Sequence, residues 1–137
     1  MHSSSIQTFM HDPVAAWNSG DKKAFFDAYR LVAPNGLQIE YVGRGPATEG
    51  WPVLDAMWAQ QSAKIEIEEV LLTINGTQAA AHNRNKLHGT AVVIDTIEIY
   101  HFDEGRLFVV YHLKPPEMSP EQLQLFPGFA DSPGPEA

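Results

Sequence analysis

The chain has 137 residues, no cysteine and a net charge of −8, with only nine Lys plus Arg. That length suits one domain with a real core, and the missing cysteines remove disulfides, thiol nucleophiles and cysteine-bound metal. So acidic a chain is a poor partner for nucleic acid, which is bound through cationic contacts, and no apolar run reaches the roughly 18 residues of a membrane span.

The first dozen residues lack a basic segment followed by an apolar one, so no secretory leader is indicated and a cytoplasmic protein is expected. Residues 6–17 read as a helix that Pro13 interrupts or starts. Asn18-Ser19-Gly20-Asp21 breaks it, and Asp21 suits the N-cap of a second helix over residues 22–31, with Phe25 and Tyr29 on its buried stripe. Residues 37–42 alternate like a strand. Residues 43–50 form a loop that matches no phosphate-binding fingerprint. A third helix is predicted over 51–63, with Pro52 tolerated in its first turn. Strands follow at 64–74 and 77–88, joined by a tight turn at Asn75-Gly76. A closing hairpin pairs 92–102 with 106–114 through Asp103-Glu104-Gly105. Residues 115–137 carry six of the ten prolines and read as a tail behind a single domain over 1–114.

Helices first and an antiparallel meander afterwards give an α+β layout. A curved, mostly antiparallel sheet wrapped around three N-terminal helices makes a cone, and a cone is a natural small-molecule site. The closing hairpin is read with a three-residue turn. A three-residue turn places Ile94, Thr96, Glu98 and Tyr100 on one face, with Phe108, Val110, His112 and Lys114 opposite. A two-residue turn puts Glu98 and His112 on opposite faces. The first arrangement gathers an acid, a phenol, an imidazole and an amine into one pocket wall.

Three segments carry a resemblance to a known family. They are Trp17-Asn18-Ser19-Gly20-Asp21 followed by Ala24-Phe25-Phe26, then Glu49-Gly50-Trp51 opening a helix, and the hairpin run from Ile97 to Leu107. The chain resembles the nuclear-transport-factor-two-like superfamily, in particular its ketosteroid isomerase and SnoaL-type cyclase branch, over roughly residues 6–114. The resemblance implies a conical fold and a buried small-molecule pocket. It puts Glu98 where the isomerases keep a protonated acid as oxyanion donor. The catalytic-base position falls on Tyr41 and the oxyanion-tyrosine position on Pro13, so authentic steroid isomerisation is not expected. Tyr29 and Trp58 match pocket aromatics of the isomerases, and Trp17-Asn18 lies where related dehydratases keep a tyrosine and an aspartate.

Residues 77–88 offer two polar faces. If Ala80, His82, Arg84 and Lys86 face the cone, His82 and Arg84 could meet Glu98 and His112. If Ala81, Asn83, Asn85 and Leu87 do, the charged set faces solvent or a second copy. The catalytic candidates are therefore Glu98, His112, His82 and Arg84. Tyr29, Tyr41, Trp58, Trp17, Lys114 and Tyr100 are the pocket candidates. The six histidines lack helical ligand spacing, so neither metal nor cofactor is expected. The predicted activity is cofactor-independent proton transfer on a small, largely apolar substrate, by an isomerase, a lyase or a cyclase. A non-catalytic binding or dimerisation module is the alternative. A homodimer is expected through an outer face of Val93, Ile97, Ile99, Leu107, Val109, Tyr111 and Leu113.

Overall fold

The structure is a computed structural model and describes residues 1–113. Lys114 and the proline-rich tail lie outside the described residues. The helices are α1 (Ser3–Ser19), α2 (Lys22–Val32) and α3 (Gly50–Gln61). The strands are β1 (Gly36–Tyr41), β2 (Thr48–Glu49), β3 (Ile65–Asn75), β4 (Gln78–Leu87), β5 (Val93–Asp103) and β6 (Arg106–Leu113). They form one sheet in the order β2-β1-β6-β5-β4-β3. Every pairing is antiparallel except β1 with β6. The sheet is curved and not closed, so the α+β cone expected from the sequence is the fold observed.

Local chemistry explains why the first two helices meet where they do. Gly20 ends α1 in a left-handed conformation, φ 74°, which glycine adopts without a Cβ penalty. The Asp21 side chain then caps α2 by accepting from the Ala24 N–H at 3.0 Å. Pro13 does not break α1 but lies buried within it. Trp17 donates its indole N–H to the Ile65 carbonyl at 2.9 Å. Asn18 donates to the Ile67 carbonyl and accepts from the Ile67 N–H, both at 2.8 Å. Because β3 is an edge strand, Asn18 supplies it with the pairing a neighbouring strand would give. The Trp17-to-Asp21 segment is thus a structural fastener between α1, α2 and the sheet.

The closing hairpin differs from the register first expected. Asp103 pairs directly with Arg106, so the turn contains only Glu104 and Gly105, both with positive φ, 50° and 77°. A two-residue turn with two left-handed residues matches the right-handed twist of its strands. The one-residue change reverses the faces of β6 relative to β5. Tyr111 now lies opposite Glu98, and His112 opposite Ile97. The other tight turn uses Gly76-Thr77, one residue beyond the expected Asn75-Gly76, because Asn75 still pairs with Gln78.

Inside the cone, aromatic rings pack edge to face. Phe9 meets Tyr29 at 5.0 Å and Phe102 at 5.6 Å, and Trp17 meets Trp58 at 5.5 Å between centroids. Such offset pairs add to what ring burial contributes.

Candidate active site

A cavity of about 140 Å³ opens between the helices and the inner face of the sheet. Its apolar wall includes Phe9, Met10, Ile65, Ile67, Leu72 and Ile94. The polar ledge is built on β5, where period-2 alternation sends Thr96, Glu98 and Tyr100 inward together.

Glu98 is the centre of this ledge and is 8% exposed. Its Oε2 accepts from the Thr96 hydroxyl at 2.7 Å and from Asn83 Nδ2 at 3.3 Å, while its Oε1 accepts from the Tyr100 hydroxyl at 2.7 Å. Burial pushes the Glu98 pKa above the ordinary carboxylate range, and the three donors only partly offset this. Asn85 braces Thr96, donating to its hydroxyl at 3.2 Å and to the Ile94 carbonyl at 2.9 Å. The hydroxyls of Tyr29 and Tyr111 lie close to that of Tyr100. Burial raises the pKa of all three, and the nearby Glu98 charge raises it further. Tyr41, its ring 5.2 Å from that of Tyr111, is pushed up to about 12 by burial. These phenols are therefore neutral donors at physiological pH.

Four expected catalytic groups divide one against three. Glu98 lines the cavity. His112, His82 and Arg84 do not; they project from the outer face of the sheet. For His112 the cause is the two-residue turn. For His82 and Arg84 it is that β4 turns Ala79, Ala81, Asn83 and Leu87 inward. Outside, His82 Nε2 lies 2.9 Å from Asp95 Oδ1, Arg84 lies 3.8 Å from Glu68, and Lys86 lies 2.8 Å from Glu68. Lys86 holds the Glu68 carboxyl below its ordinary range.

Of the pocket candidates, Trp17, Tyr29, Tyr41 and Tyr100 line the cavity. Trp58 stands behind it, packed on Trp17 and Phe25. Sequence reasoning missed Thr96 as a working group, along with Asn83, Asn85, Tyr111 and Glu69, all of which line the cavity. The X-Gly dipeptide at Glu104-Gly105 could have revealed Tyr111, because it favours the shorter turn. Among the described residues, no cluster of His, Asp and Glu has the make-up of a metal site. No described helix is long and apolar enough to cross a membrane.

No protein-family profile matches the chain, and no curated protein matches it. Solved structures do. An NTF2-like protein of unknown function from Burkholderia xenovorans superposes with a TM-score of 0.66 at 17% identity, over 92% of this chain and 95% of that one. A provisionally assigned ketosteroid isomerase from Kribbella flavida gives 0.64 at 10% identity, over 85% and 83%. A provisionally assigned SnoaL-like polyketide cyclase from Jannaschia gives 0.60 at 14%, over 95% and 92%. At these identities the likeness establishes the NTF2-like fold, and that fold hosts many chemistries.

Proposed function

We propose that the protein is a cofactor-independent proton-transfer enzyme of the isomerase or lyase kind, acting on a small, uncharged, largely apolar carbonyl compound. One observation carries this reading: a buried carboxyl group with a raised pKa sits beside neutral phenols in an otherwise apolar cavity. A carboxyl group held neutral can donate to an oxygen that gains negative charge as a neighbouring carbon loses its proton. The described lining residues include no Lys, Arg or His, which disfavours an anionic ligand. The solved neighbours assigned as an isomerase and a cyclase are consistent with this class of chemistry.

Exchange of the α-protons of cyclohexanone in D₂O, followed by NMR, tests the reading. The wild type is expected to exceed an equal concentration of acetate. Glu98→Gln, whose amide is a weaker hydrogen-bond donor than a carboxylic acid, is expected to lose about 10²-fold of that rate. Equal rates in the two proteins would favour the alternative, a non-catalytic binding module. The outer-face position of His112, His82 and Arg84 is the observation on that side.

The outer sheet face supports a homodimer with a changed membership. Leu107, Val109 and Tyr111 are buried inside the cone, not outside it. Leu113 lines the cavity. The outward apolar positions are Val93, Ile97 and Ile99 on β5, with Phe108 and Val110 on β6; Ile97 is 46% exposed. A second copy covering this face is expected to give twice the monomer mass in sedimentation at micromolar concentration, and Ile97→Lys is expected to halve it. A monomeric wild type would contradict the dimer.

A further inference from the structure

β3 lines the cavity with Ile65, Ile67, Glu69, Leu71 and Leu72. One member is an acid among aliphatic residues. A bulge at Val70 follows it directly, because Glu69 pairs with Asn83 while Leu71 pairs with His82. Bulges re-aim side chains and recur beside active sites. The Glu69 side chain is 38% exposed, and its Oε2 lies 2.9 Å from Nδ1 of His11 on α1. An exposed pair of this kind adds little to stability, so docking α1 explains poorly why an acid occupies this apolar series.

Placement relative to Glu98 supplies the reason. Asn83 is the cross-strand partner of Glu69 on one side and of Thr96 on the other. Glu69 therefore stands two strand spacings, about 10 Å, from the β5 ledge. Both carboxyl groups line the same cavity, Glu98 within and Glu69 at its rim.

We propose that Glu69 is the base that removes the carbon-bound proton, with His11 as its positioning residue. This rests on the proton-transfer reading above. The Glu69 carboxylate takes the α-proton, and the C–H electron pair forms the C=C bond. The carbonyl π pair moves to oxygen, which accepts a hydrogen bond from Glu98. Return of a proton from Glu69 to carbon completes exchange or, at a different carbon, isomerisation.

The test uses the full chain with cyclohexanone in D₂O. Glu69→Gln is expected to cut the exchange rate about 10²-fold with an unchanged unfolding midpoint. Formate is expected to restore exchange to Glu69→Gly but not to Glu98→Gln. His11→Ala is expected to lower kcat with little change in KM, and to have no further effect in a Glu69→Gln background. If Glu69→Gln keeps the wild-type rate while Glu98→Gln loses it, this assignment is overturned and the proton-transfer reading stands. If both variants keep the rate, both fall. Loss in Glu69→Gln accompanied by a lower midpoint, and without formate rescue of Glu69→Gly, would show a structural role and also overturn the assignment.

Discussion

Replacing Glu98 by Gln is expected to weaken the decline of stability with rising pH. The unfolded carboxyl titrates near 4.5, and burial raises its folded value above that. The folded state thus keeps the proton to higher pH than the unfolded chain does. The stability that follows is fully present below about 4.5 and is lost as pH rises through the folded value. Glutamine has no proton to lose. The unfolding free energy of Glu98→Gln should therefore gain on that of the wild type between pH 4.5 and pH 8, by about 1.4 kcal/mol for each unit separating the two pKa values. Urea unfolding across that range measures the gain. A constant gap would mean that Glu98 ionises as readily in the cavity as in the open chain.

Gly50→Ala is expected to destabilise the protein, although alanine is the better helix former by about 1 kcal/mol. Gly50 is buried at the start of α3, where the helix crosses β1. A Cβ there would lie 2.4 Å from Leu37 Cγ, 2.9 Å from its Cδ2 and 3.1 Å from Ile39 Cγ1. Leu37 and Ile39 are each 2% exposed and have little room to withdraw. Forcing an atom into such a seam costs about 1–3 kcal/mol, which outweighs the propensity gain. The unfolding midpoint should fall. Lifting α3 would also move Met57 and Gln61, which line the cavity, so ketone binding should weaken. A raised midpoint would show that the seam relaxes freely.

What the sequence disclosed followed from how local each signal was. Asp21, Gly20 and Gly76 specify caps and turns through their own chemistry, so the order of elements and the cone were legible. The site depended on registers, which are long-range. Alternation in β5 placed Thr96, Glu98 and Tyr100 on one face correctly, but the face of β6 hung on a single turn residue. Taking three residues for the turn moved His112 inward and Tyr111 outward, the reverse of the structure. On β4 neither face is uniformly apolar, so the pattern could not choose between His82 and Asn83. Asn83 and Asn85 tolerate the interior because they hydrogen-bond to Glu98, Thr96 and the Ile94 carbonyl. Glu69 was hidden by the bulge, which shifts the period of β3 within a run already rich in acids.

The Glu98 carboxyl group, whose pKa burial raises, is expected to meet a carbonyl oxygen inside the cavity. The infrared stretch of the cyclohexanone carbonyl, recorded as a difference spectrum on binding, reports that contact directly. An acid O–H in a low-dielectric site polarises a carbonyl more than water does. The bound stretch is expected to fall below its frequency in water for the wild type and to shift back upward in Glu98→Gln. A bound stretch at the frequency found in an apolar solvent, unchanged by Glu98→Gln, would contradict that contact.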